Sequence, residues 1–229
     1  MLQMTWRELC FLHWAVRPEQ VAAHLPEGVE LDLWQGKAYL GVVPFSMTGI
    51  RPRLLPGVPG LSNFPELNLR TYVTVDGVPG VWFFSLDASQ PLGVRLARRF
   101  FHLPYFDARM QVGHKRGSGV INYASMRTHA GQPALRFAAA YAPEGPVFRA
   151  EAGSLEDWLT SRYALFSADE RGHVYRGLIQ HAPWALQRAR AVVSENTLAQ
   201  EIGLTLEGKP HLLYGERTDV RAWLVKRVK

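Results

Sequence analysis

Residues 65–88 constrain the fold more than any other stretch of the chain. Two runs, PELNLRTYVTV and VWFFSLDA, flank Asp76-Gly77. The first alternates with the period of a pleated strand, and Asp-Gly is a two-residue hairpin signal. An antiparallel hairpin is therefore predicted. On its first strand Glu66, Asn68, Arg70 and Tyr72 point one way, and Leu67, Leu69, Thr71 and Val73 the other. On its second strand Phe83, Ser85 and Asp87 share a face. If the turn pairs the two strands, one face of the hairpin carries a carboxylate, an amide, a guanidinium and a phenol, and with Ser85 and Asp87 on that side a second carboxylate. A plain two-sided sheet turns such a row to water, whereas a closed or curled sheet turns it inward. Turned inward, Glu66 and Arg70 would pair and bind a small polar ligand, because a buried charge needs a partner.

The rest of the chain reads in the same way. Strands are predicted over 5–16, 29–33, 38–47, 106–112, 120–127, 134–141, 174–180, 184–191, 210–214 and 220–228, with Pro44 marking an edge or a bulge. Helices are predicted over Pro18–His24, Pro91–Phe101 and, behind a Ser154/Asp157 capping pair, Ser154–Tyr163. A last helical turn is expected at 197–202. In the second helix Leu92, Leu96 and Phe100 form an apolar row with Arg95, Arg98 and Arg99 off it. The segment IRPRLLPGVPGLSNF, residues 50–64, is the longest irregular stretch, either a pocket loop or a surface connection. No stretch reads as a linker. The expected fold class is α+β, mostly antiparallel β, a single-domain curled sheet or barrel over 1–229 with a few short helices.

Charge and composition narrow the function. The 229 residues carry a net charge of +6 and one cysteine, Cys10. A lone cysteine rules out an intrachain disulfide and cysteine-rich zinc modules. No run reaches the ~18 apolar residues of a membrane span, and Arg7 and Glu8 interrupt the apolar start, so a cytoplasmic protein is expected. Much of the positive charge sits in residues 95–116 and 217–229. A nucleic-acid partner is the least favoured reading of these clusters, because 21 of the 26 cationic residues are arginines spread through an arginine-skewed chain. Nucleotide-binding glycine loops, a hydrolase elbow and an H-E-x-x-H zinc motif are missing. His13 and His181 sit in aromatic surroundings, where a core role is favoured over acid–base work. Lys115 beside Arg116 reads as an exposed hairpin tip, not an activated amine.

The ordered blocks FLHWAVRPEQVAAHLPEGVELDLWQGKAYLGVVPFSM, FPELNLRTYV, PGVWFFSLDA, ARRFFHLPYFDARM, LEDWLTSRY and HAPWALQRA resemble the YqjF-like family of uncharacterised bacterial proteins across nearly the whole chain. That family is grouped with the acetoacetate decarboxylase-like superfamily, which implies a mostly antiparallel barrel-like domain with a central pocket. The resemblance implies that Glu66 lines the pocket. It also implies that His102-Leu103-Pro104-Tyr105-Phe106 replaces the segment that carries the Schiff-base lysine in true acetoacetate decarboxylases. The proline is kept and the lysines are not, so Tyr105 would occupy that position as a hydrogen-bond donor or weak acid–base group. The resulting expectation is a small-molecule pocket for an acidic or keto-acid-like ligand. Glu66 and Tyr105 are its catalytic candidates, and Asn68, Arg70, Tyr72 and Ser85 its binding candidates. No metal or cofactor is expected. If there is turnover, it would be lyase- or hydrolase-like without a Schiff base; the alternative is a non-catalytic binding or sensing module. No membrane partner is expected, and a homo-oligomer is compatible with the sequence.

Overall fold

In the computed structural model, which describes residues 1–58 and 60–229, strand follows strand with little else between. The elements are β1 (Leu2–Val16), α1 (Pro18–Ala22), β2 (Glu30–Leu31), β3 (Ala38–Pro52), β4 (Phe64–Val75), β5 (Val78–Ala88), α2 (Pro91–Phe101), β6 (Tyr105–Lys115) and β7 (Val120–Arg127). There follow β8 (Arg136–Phe148), α3 (Leu155–Thr160), β9 (Ala164–Ala168), β10 (Val174–Gln180), β11 (Leu186–Asn196), a 3-10 turn (Leu198–Ile202), β12 (His211–Ala222) and β13 (Lys226–Arg227). The fold class is as expected: one curled, mostly antiparallel sheet with short helices, among the described residues parallel only where β5 meets β6 and β9.

Two strands fork the sheet. The end of β5 pairs with β6 while its Val81-Trp82 segment pairs with β9. Strand β12 likewise pairs with β11 at Leu213–Gly215 and with β10 at Arg221-Ala222. Two hydrogen-bonded circuits result. One runs β5-β6-β7-β8-β11-β12-β1-β3-β4 and back to β5; the other runs β10-β9-β5-β4-β3-β1-β12 and back to β10. The shared strands β1, β3, β4, β5 and β12 form a common wall with a core on each side. Cys10, Leu12, Leu67, Leu69, Tyr123 and Phe137 pack in the first circuit. Leu9, Phe11, Val43, Phe45 and Val220 pack on the other face of the wall.

Three predictions are corrected. The hairpin forms at Asp76 (φ 51°) and Gly77 (φ 75°), but its register slips between Leu69 and Arg70, where Leu69 faces Ser85 and Arg70 faces Phe83. The extra residue, Phe84, is a bulge that reverses the alternation, so Ser85 and Asp87 lie on the Leu67/Leu69 side, opposite Glu66. The two short strands predicted over 210–214 and 220–228 are instead mainly the continuous β12, because β1 runs alongside throughout and supplies a ladder from His13–His211 to Leu2–Ala222. Strand β9 lay in a stretch with no strand prediction. The bulge expected near Pro44 occurs: the β1–β3 ladder shifts between Arg7 and Leu12, leaving the proline's missing donor on the interrupted side.

Candidate functional site

Two irregularities in the strands line a cavity on one side of the shared wall. Glu8 is held at φ 57°, and there the alternation of β1 slips by one, so that Met4 and Trp6 before it and Leu9 and Phe11 after it line the same cavity. The bulge at Phe84 does the same for Phe83 and Leu86 on β5. Strands β9 and β10, the helix α3 and the segment after β10 complete the enclosure with Leu165, Ile179, Thr160, Arg162, His181 and Trp184. The chamber has a volume of about 140 Å³. At roughly 30 Å³ per water this is about five waters, or one small organic molecule.

The polar groups of this apolar chamber are few. Glu66 is 3% exposed. Burial raises its carboxyl from an ordinary value of 4.5 to about 8, against the lowering pull of a hydrogen bond donated by Tyr105 Oη to Glu66 Oε2 at 2.8 Å. Glu66 is thus mostly a neutral acid at pH 7. Tyr105 is pushed well above its usual range by burial first and by Glu66 second. Both are firmly placed. Tyr123 Oη donates to the Glu66 carbonyl at 2.7 Å, and Arg98 Nη1 donates to the Tyr105 carbonyl at 2.8 Å.

Arg70 is the charged counterpart. Its Nη2 donates a long 3.4 Å bond to Tyr72 Oη, which lies 2.6 Å from His13 Nε2. Its guanidinium sits 5.6 Å from the Phe11 ring and 5.7 Å from the Tyr72 ring. Its Nε is buried without a partner. The expected Glu66–Arg70 pair does not form: four residues of strand separate them by roughly 13 Å, and the carboxyl is taken up by Tyr105. The second arginine of the chamber, Arg162, is neutralised by Asp32 at 2.5 Å and stacks over Trp158 at 4.6 Å. His181 Nδ1 donates to the Ala182 carbonyl at 2.7 Å, and burial lowers the ring's pKa, leaving Nε2 as an acceptor in the neutral ring.

Of the predicted site residues, Glu66, Arg70 and Tyr105 meet in this chamber. Tyr72 shares their face but is fully buried, its hydroxyl spent on His13 and Arg70. Asn68 is buried between them on the strand, with Oδ1 unpartnered, and does not line the cavity. Ser85 lies on the other face for the reason already given, beside the Asp87–Arg127 ion pair. His13 is a core residue whose ring is held neutral by burial first and by Arg70 second. Sequence reasoning missed Arg162, Thr160 and Trp184; only the blocks LEDWLTSRY and HAPWALQRA pointed to that region. All five lysines are exposed and none lines the chamber. Among the described residues no cluster of His, Cys, Asp and Glu could hold a metal ion.

Comparison with known proteins places this geometry in context. The family model DUF2071, "Uncharacterized conserved protein", matches residues 3–219. The uncharacterized protein YqjF of Bacillus subtilis (strain 168) is 44% identical over 227 residues, covering 99% of this chain and 92% of that protein. An acetoacetate decarboxylase-like enzyme from Sphingomonas wittichii RW1 superposes with a TM-score of 0.69 at 12% identity, over 100% of this chain and 93% of that one. The acetoacetate decarboxylase of Legionella pneumophila gives 0.69 at 12% identity, over 100% and 87%. The enduracididine biosynthesis enzyme MppR, complexed with pyruvate, gives 0.67 at 13% identity, over 98% and 90%. At these identities the solved structures establish the fold alone.

Proposed function

The chain belongs to the DUF2071 family of uncharacterized conserved proteins, and we propose that within it this chain binds a small carboxylate-bearing, keto-acid-like molecule in the inner chamber. Arg70 holds the carboxylate, and the neutral Glu66–Tyr105 pair exchanges a proton with the bound molecule. The observation that carries this reading is Arg70 itself: a guanidinium in an apolar chamber, without a carboxylate partner among the described residues. A cation so placed is stabilised by an anion brought from outside, and arginine pairs with a carboxylate through two parallel hydrogen bonds. A carboxyl titrating near 8 beside that anchor has the protonation state of a general acid at neutral pH. The pyruvate complex of MppR supports the keto-acid class by likeness of fold.

Imine chemistry does not suit this chamber, because no lysine reaches it. Any turnover would rest on Glu66 and Tyr105, in lyase- or hydrolase-like chemistry. The test is a thermal-shift and calorimetric screen of short keto acids on wild type and on Arg70→Ala. We expect stabilisation of wild type and about a 10- to 100-fold loss of affinity in the variant, the range of a charge-assisted hydrogen-bonded pair. A folded Arg70→Ala protein that keeps the wild-type response to every hit rules the assignment out. Hits that bind Arg70 and are never converted make the protein a binding module.

A further inference from the structure

A second cavity, of about 440 Å³, adjoins the chamber and is almost wholly apolar. Met47, Ala97, Phe101 and Tyr105 line both spaces, so the two adjoin at the Tyr105 ring, whose hydroxyl is the one bonded to Glu66. The outer walls are α2 and, facing it, Ile50, Val58, Leu61 and Ser62, and Gln90 joins the two sides. Its side chain accepts from Gly93 N to cap α2 and donates to the Gly60 carbonyl at 3.2 Å. The expectation of a pocket loop over 50–64 thus coincides with this wall, with Pro59 outside the described residues.

Exposed apolar side chains concentrate here. Of the thirteen large apolar residues that are exposed among the described residues, five line this one cavity: Val58, Leu92, Leu96, Phe100 and Leu224. The apolar row of α2 is about half exposed (Leu92 49%, Leu96 49%, Phe100 52%) and turns toward the cavity instead of packing in the core. In this one helix the sequence spends its apolar face on open space, which marks a surface for something else to cover.

We propose that the ligand of this site is an amphiphilic carboxylic acid, its carboxylate head in the inner chamber at Arg70 and its hydrocarbon chain along the outer cavity past Tyr105. This rests on the reading of Arg70 given above. The two ends differ in chemistry as such a molecule would require. The inner space holds Arg70, Glu66, Arg162 and His181, whereas the outer space offers mostly apolar walls, and among the described residues its titratable groups are Arg51, the amino group of Met1 and the shared Tyr105. The side chains of Met47, Ala97 and Phe101, shared by both spaces, put the two within reach of one molecule.

The experiment is calorimetric titration with butyrate, hexanoate, octanoate and decanoate, and with decanol, on wild type, Arg70→Ala and Leu92→Asp. Leu92 is half exposed, so the charge is tolerated by the fold. We expect wild-type affinity to rise by up to about fourfold per buried methylene, Leu92→Asp to flatten that rise while leaving butyrate unchanged, and Arg70→Ala to weaken all four acids. Affinity independent of chain length, with Arg70→Ala still harmful, overturns the tail assignment and leaves the anchor standing. Acids indifferent to Arg70→Ala, or decanol binding as well as decanoate, overturn the anchor itself. Flat chain-length dependence together with dimerisation abolished by Leu92→Asp assigns the apolar face to a second copy of the chain.

Discussion

At the scale of single residues, the consequential group is Glu66. Its carboxyl titrates near 8 when folded and at about 4.5 when unfolded. Between these values the unfolded chain releases a proton that the folded chain retains, so stability falls as pH rises through the window and levels off above about 8. Asp87, raised to about 6 mainly by burial, acts in the same direction at lower pH. We expect the stability of wild type to fall by roughly 1 kcal/mol per pH unit between pH 6.5 and 8, and Glu66→Gln to lose that slope. Urea denaturation at three pH values measures it. An unchanged slope in Glu66→Gln would mean that the carboxyl ionises normally in the folded protein. Glu66 was legible as a candidate from strand alternation and resemblance. Its neutrality was not, since desolvation depends on Tyr105 and on side chains from both ends of the chain.

At the scale of elements, bulges decide what faces what. Alternation assigned Glu66, Asn68, Arg70 and Tyr72 to one face correctly, because β4 is regular. It misplaced Ser85 and Asp87, because a bulge inserts one residue without any local signature in VWFFSLDA. The misplaced Asp87 turns out to be structural. Arg127 Nε donates to it at 2.8 Å, Arg127 Nη1 pairs with Glu201, and the guanidinium lies 4.1 Å from the Phe106 ring. This buried arginine ties β5, β6, β7 and the 3-10 turn together. Arg127→Ala would leave Asp87 buried and unpaired, at a cost of about 3–5 kcal/mol. A loss below ~1 kcal/mol in equilibrium unfolding would show that the carboxyl simply takes up a proton.

At the scale of the whole molecule, the two cores share β1, β3, β4, β5 and β12, so neither can melt without exposing the other. We propose that residues 1–229 unfold as one unit. Calorimetry should show a single transition, with an enthalpy on the order of 160 kcal/mol near 60 °C from about 0.7 kcal/mol per residue. Two resolved transitions would separate the circuits. The basic clusters are partly consumed internally, Arg95 by Asp107 and Arg98 by the Tyr105 carbonyl, which weakens a polyanion surface as their purpose. The sequence by itself determined the strand-rich class, the hairpin at Asp76-Gly77, the helix starting at Pro91 and the polar row on β4, since alternation, turn chemistry and proline are local physics. Only the tertiary structure decided which side of each strand is inside, that Arg70 faces the chamber without a carboxylate partner among the described residues, and that α2 lends its apolar row to a cavity. Those outcomes depend on bulges, forks and burial, which are set by neighbours distant in the chain.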